Sequence, residues 1–317
     1  MIRILGVLFG LAVLIVVVMA SDPWEIGRRL AALPPVYIVA GLCLVQAQIV
    51  LSALRWRFTA IRLGQKLGTW DAVGDYYLSS FLNQTLPGGM AGDAVRAIKH
   101  RGSGKGAWKL PTLAVVLERA AGQGIFLLLA GAGIIAWPLL DAGHLPPAIL
   151  RLLTIVSIAT ASVAIVGAAM LRFPPRAIME QASAFRHAVA TVFVHAGAWR
   201  VQSALSLLIV GSYLAMYMLA SAAVGAPLPY LAAVTAIPVC LLMMLIPVTV
   251  AGWGAREAAS ALLWPLFGYV SADGVAASIF YGVLSLVGAV PGLAVAVLAL
   301  APMRRAKRAD HASSSRA

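Results

Sequence analysis

Apolar residues fall along this chain in long blocks, separated by short basic or Pro/Gly-containing segments. Residues 4–20 form an uninterrupted apolar run behind a short basic start at Arg3. Residues 35–54, 110–140, 149–171, 203–224 and 274–300 form five more blocks. Each is long enough to cross the ~30 Å hydrocarbon core of a bilayer as a helix, so six full spans are expected. A cleaved signal peptide competes for the first block, because Val18-Met19-Ala20 before Ser21 resembles a cleavage site. The length of the run favours a retained span. Residues 21–34 read as a mixed loop, and Arg55-Trp56-Arg57 reads as an aromatic and basic border at a cytoplasmic interface.

Two stretches do not fit simple crossing. Residues 69–96 carry Asp71, Asp75, Asn83 and Gln84. Arg55, Arg57, Arg62 and Lys66 precede this stretch, and Lys99, Arg101, Lys105 and Lys109 follow it. With both flanks cytoplasmic, the segment must dip in and return as a re-entrant hairpin, its backbone shielded by protein or lining a watery cavity. The alternative is an amphipathic helix lying on the surface. Residues 230–247 enter an apolar stretch that breaks over 247–254 and resumes over 255–267. The two breaks share a motif: Pro87 is followed by Ala91-Gly92 and Arg96 at the offsets that separate Pro247 from Ala251-Gly252 and Arg256. The copies lie about half the chain apart, and paired broken segments in corresponding halves point to a transporter site. Residues 172–200 read as a cytoplasmic loop with an interfacial amphipathic helix near 188–199.

Most of the 24 Lys and Arg residues fall on the proposed cytoplasmic side, with Arg28, Arg29 and Arg151 opposite. That bias places both termini in the cytoplasm. It also makes the halves, about 1–141 and 148–303, inverted copies with hairpins entering from opposite faces. The expected fold is an all-α polytopic membrane protein of six full spans and two re-entrant hairpins, about eight spans by simple counting. One integral membrane domain covers residues 1–303, and a basic tail, expected to be disordered, covers 304–317.

Composition narrows the class. The 317 residues are 62% hydrophobic and 11% charged, against about 25% charged in soluble proteins. Mean hydropathy is +0.93. Soluble enzyme classes are excluded on that ground. The net charge of +13 lies between apolar spans, which fits anionic lipid headgroups and not nucleic acid. Cys43 and Cys240 lie inside apolar runs as small buried hydrophobes, with no metal or disulfide pattern. His187 and His195 have no carboxylate company, which fits surface contact. Trp56, Trp70, Trp108, Trp137, Trp199 and Trp264 read as interfacial anchors.

The candidate site lies at the breaks. A helix half starting after each break exposes N–H groups and partial positive charge that can hold phosphate or carboxylate. Gly88, Gly89, Gly92, Gly252 and Gly254 let backbone approach a ligand, and Trp253 flanks it. Arg96 and Arg256 follow, each able to grip a phosphodiester bidentately. Asp93, Glu118, Arg119 and Glu257 complete the set. Charges inside a membrane are expensive, which favours function; the competing reading is that they only neutralise one another. There is no Ser-His-Asp set, no HExxH and no P-loop, so neither an enzyme nor an intrinsic ATP-driven pump is expected. No cofactor or metal is expected.

These motifs resemble the flippase-like integral membrane family that includes the N-terminal domain of lysylphosphatidylglycerol synthase. The resemblance rests on Arg55-Trp56, LPGG-x-x-GD-x-x-R ending at Arg96, Glu118-Arg119, and Gly252-x-Gly254-x-Arg256-Glu257. The second hairpin motif departs from the family's Pro-x-Pro-Gly-Gly-like form, reading IPVTVAGWGARE. Bifunctional members carry a cytosolic aminoacyl-transferase domain. With no such domain before Ala317, the resemblance implies lipid translocation and not lipid aminoacylation. Related stand-alone members are associated with polyisoprenoid, glycolipid or hopanoid pathways. The expected substrate is therefore an anionic phospholipid, a polyisoprenyl-phosphate-linked lipid or a hopanoid lipid, moved between the leaflets of a bacterial cytoplasmic (inner) membrane. The alternatives are a secondary transporter of a small soluble anion and a non-transporting partner of a lipid-modifying or glycosyl-transferring enzyme.

Overall fold

The structure, a computed structural model, describes residues 2–86, 88–102, 107–136, 179–245 and 250–298, together with 151, 154, 158 and 172. Pro87, Pro247, Trp137, the tail and, apart from those isolated positions, the fourth span expected over 149–171 lie outside the described residues. Every element among the described residues is helical.

Helices α1 (Ile2–Ala20) and α2 (Pro23–Ala31) meet at a 92° bend. The segment read as a mixed loop is thus a helix, and its start signal is local. Asp22 accepts hydrogen bonds from the N–H groups of Trp24 and Glu25, and Pro23 presets the first helical φ. Helix α3 (Pro35–Arg62) continues past the expected border at Arg55-Trp56-Arg57. Arg55 and Trp56 are buried there, so the interfacial reading of that doublet is corrected. Cys43 is corrected too: it faces outward on α3, while Cys240 is buried.

Helices α4 (Thr69–Thr85) and α5 (Ala91–Lys99) follow, and α6 (Lys109–Ala136) carries Glu118 and Arg119. Helix α7 (Met179–Phe193) begins earlier than the expected amphipathic segment. Its last turn is held by Arg62, whose guanidinium donates to the carbonyls of Thr191 and His195. A turn at Gly197, with φ 71°, leads into α8 (Ala198–Ala223).

The second broken segment starts as α9 (Tyr230–Val234) and α10 (Ala236–Leu242), with a break at Thr235 that hydropathy alone does not reveal. Pro238 has no N–H to offer the Val234 carbonyl, so the first helix stops there. Gly133 of α6 packs against that same carbonyl, where a Cβ would lie 2.1 Å away. After residue 250 the chain resumes as α11 (Ala255–Leu263) and α12 (Ser271–Ala289), the latter part of a longer helical stretch to Leu298.

Four helical stretches are long and apolar enough to cross a bilayer: Pro35–Arg62, Lys109–Gly133, His195–Ala223 and Ser271–Leu298. The bent α1–α2 pair makes a fifth. Their packing is reciprocal. Helix α3 packs on α8 and α12, while α8 packs on α3 and α6. The first broken segment's α4 lies on α12, and the second's α10 lies on α6. Each broken segment also meets a close-backbone crossing at glycine: Gly133 of α6 against the Val234 carbonyl at the end of α9, and Gly292, in the helical stretch that continues α12, where a Cβ would lie 2.2 Å from the Tyr77 carbonyl of α4. Small residues at crossings are what apolar helices use to associate without a hydrophobic drive.

Candidate functional site

Asp75, Ser79 and Asn83 recur every four residues, so they share one face of α4, and that face meets α5. Asn83 accepts from the Gly92 N–H at 2.8 Å, and Ser79 donates to Asp93 at 3.2 Å. Asp75 pairs with Lys99 and with His100. The two helices therefore fold back on each other. Gly92 is the contact point: a Cβ there would lie 2.1 Å from the Ser79 carbonyl. Gly88 and Gly89 shape the turn with φ of 88° and 60°, and a Cβ at either would meet nothing within 4 Å.

This hairpin brings a cluster of buried charge together. Arg96, only 1% exposed, pairs with Asp93, and its guanidinium lies between two rings: Trp56 at 4.7 Å and Tyr76 at 4.3 Å. Arg119, with its side chain 39% exposed, reaches Asp93 from α6 at 2.9 Å. Arg55 pairs with Glu118 at 2.7 Å and donates to Ser206 of α8 at 3.1 Å. Tyr76 donates to Glu118 at 3.3 Å, and Arg96 lies 3.7 Å from the other Glu118 oxygen. Three guanidinium groups face two carboxylates. The donors outnumber their acceptors: Nε of Arg55, Nε and Nη1 of Arg96, and Nε of Arg119 are buried without a hydrogen-bond partner. Glu118 Oε2 is also without one. Buried polar groups are normally satisfied, so each such donor calls for an explanation.

The second break builds a different cluster. Arg256 and Glu257 are neighbours in sequence and pair at 2.7 Å, both 1% exposed or less. Ser278 of α12 bridges them, accepting from Arg256 at 2.8 Å and donating to Glu257 at 2.7 Å. The other Glu257 oxygen takes the Gly254 N–H at 2.6 Å. The Arg256 guanidinium again lies between a Trp and a Tyr, 5.2 Å from Trp253 and 5.0 Å from Tyr281. Behind it Tyr281 stacks on Tyr217, which shares a 2.6 Å hydrogen bond with Ser260. Nε and Nη2 of Arg256 and both Glu257 oxygens have polar partners, while Nη1 of Arg256 has only the Met244 sulfur at 4.0 Å and the neighbouring Tyr281 hydroxyl is buried without a partner. Gly252 and Gly254 hold φ of 82° and 90° in the break.

The proposed residues thus separate into two groups. Asp93, Arg96, Glu118 and Arg119 come together, with Gly88, Gly89 and Gly92 at their hairpin. Trp253, Arg256 and Glu257 come together elsewhere, with Gly252 and Gly254. Among the described residues no hydrogen bond, ion pair or ring contact joins the groups. Two helix-start donors are already taken, Gly92 by Asn83 and Gly254 by Glu257.

Sequence reasoning missed Arg55, Trp56, Tyr76, Ser206, Ser278 and Tyr281 as site members. The four-residue spacing of Asp75, Ser79 and Asn83 carried a usable signal; Ser278 and Tyr281, inside an apolar block, carried none. Trp264 is buried, donating to Ser221 at 2.9 Å, and is no interfacial anchor; Trp70, Trp108 and Trp199 are exposed. Beside the second break an apolar cavity of about 270 Å³ is lined by Val7, Gly10, Leu11, Leu14, Val250 and Trp253.

Long apolar helices with buried charge in their contacts define a polytopic α-helical membrane protein. The sequence profile of the lysylphosphatidylglycerol synthase TM region matches residues 3–311, and the chain belongs to that family. The match bears out the family resemblance carried by the motifs. It ties the chain to membrane lipid metabolism or translocation. No curated protein and no solved structure matches the chain.

Proposed function

We propose that this protein moves a lipid with an anionic or polar headgroup between membrane leaflets, holding the headgroup at the Arg55–Arg96–Arg119 cluster. The observation that carries this reading is the excess of buried guanidinium donors over acceptors there. A net positive charge in low dielectric is costly, and an anion bound among these arginines offsets it. Arginine forks match phosphate geometry. Arg119, the half-exposed member, gives the headgroup a way in.

In this reading the two broken segments are re-entrant hairpins from opposite faces of a bacterial inner membrane, within an inverted repeat of six full spans and with both termini cytoplasmic. The reciprocal helix packing supports the repeat. The protein translocates lipid and does no covalent chemistry on it.

The test is leaflet exchange of labelled lipids in proteoliposomes, with anionic, zwitterionic and polyisoprenyl-phosphate probes in parallel. Exchange of at least one anionic probe by wild type, lost in Arg96→Ala with the protein folded, supports the reading. No movement of any probe by correctly inserted wild type refutes it.

A further inference from the structure

We infer that Asp93 sets the charge of the headgroup that the first cluster accepts. The inference rests on the headgroup reading above and deepens it.

Asp93 is buried, lies in the first turn of α5, and is the only carboxylate that touches both Arg96 and Arg119 among the described residues. Glu118 pairs most closely with Arg55, accepts from Tyr76, and lies farther from Arg96, at 3.7 Å. The two acids therefore divide the work. Glu118 fixes the arginine that Ser206 also holds, and Asp93 occupies Nη2 of Arg96 and of Arg119, leaving Nε and Nη1 of Arg96 and Nε of Arg119 without a partner. Three guanidinium charges against two carboxylates leave one positive charge. A ligand bearing one negative charge neutralises the cluster; a second negative charge would sit against Asp93. Like charges in close approach within a protein cost enough to select between ligands. Asp93 thus acts as a resident counter-anion that leaves room for a monoanion, such as a phosphodiester, and repels a dianion, such as a phosphomonoester above its second pKa of about 6.

The charge of the cluster can be stepped without touching Arg96. Asp93→Asn raises it by one unit, Arg119→Gln lowers it by one, and the double variant restores it. The experiment titrates dihexanoyl phosphatidylglycerol, phosphatidic acid and phosphatidylcholine onto the full chain in neutral detergent at pH 8 by calorimetry. Thermal melting and gel filtration check each variant's fold. Wild type is expected to prefer phosphatidylglycerol to phosphatidic acid. Asp93→Asn is expected to shift that ratio towards phosphatidic acid by about tenfold or more, Arg119→Gln towards phosphatidylcholine, and the double variant back to the wild-type order. Should Asp93→Asn fail to fold, Arg119→Gln and the double variant carry the comparison. Parallel changes for all three lipids, with their order kept, overturn the role of Asp93 and leave the headgroup reading standing. Binding of none of the three by wild type overturns the headgroup reading, and the inference with it.

Discussion

Two arginines, Arg96 and Arg256, stand at matching offsets from their breaks and each lies between a Trp and a Tyr, yet their surroundings differ in kind. Arg256 belongs to a charge-neutral unit: one guanidinium, one carboxylate and a bridging serine, with both carboxylate oxygens and two of the three guanidinium nitrogens held by polar partners. Arg96 belongs to an open one, with three guanidinium groups, two carboxylates and buried donors to spare. A satisfied buried pair fixes structure, and breaking it by removing one partner leaves an uncompensated charge. An unsatisfied cationic cluster is poised for an anion. Under the proposed function the same motif serves as a clamp in one half and as a binding site in the other.

The largest effect expected from this contrast is on stability. Arg256→Ala strands Glu257 in the core and should cost about 3–5 kcal/mol, read by thermal or denaturant unfolding in detergent. Replacing both partners, as Arg256→Met with Glu257→Gln, should cost markedly less. Arg96→Ala leaves Asp93 paired with Arg119 and Glu118 paired with Arg55, so it should cost under about 2 kcal/mol. A larger loss for Arg96→Ala than for Arg256→Ala would reverse the assignment of clamp and site. Next, Gly92→Ala drives a methyl group into the Ser79 carbonyl and should destabilise by about 1–3 kcal/mol, with the loss located in the α4–α5 hairpin by hydrogen exchange. Asn83→Ala removes the acceptor of the Gly92 N–H and should cost about 1 kcal/mol in the same assay. Smallest of all, His187→Ala on the exposed face of α7 should stay within about 0.5 kcal/mol of wild type.

The contrast was only partly legible in the sequence. The Pro/Gly breaks mark both broken segments, because proline removes a helix donor and glycine favours a turn, and the repeated Ala-Gly and Arg offsets pair the two. Asp93, Arg96, Glu118 and Arg119 stand out because charge in an apolar stretch is rare. Arg55-Trp56 misleads: a basic–aromatic doublet closing an apolar run has the composition of an interface, and only the continuation of α3 to Arg62 turns it inward. The distinction between clamp and site depends on Ser278, Tyr281 and Ser206, which reach the arginines from other helices. Contacts between distant segments leave no local pattern. Asp22-Pro23 before α2 and Pro238 after Val234 are local signals of the opposite sort, readable from capping and proline chemistry alone.

The central claim is that the first cluster carries the headgroup and the second holds the fold. Its most direct test is leaflet exchange of a labelled anionic lipid in proteoliposomes by two folded variants, Arg96→Ala and the paired Arg256→Met, Glu257→Gln. Exchange lost in the first and retained in the second is the expected result. Exchange retained in Arg96→Ala, or lost only in the paired variant, would contradict it.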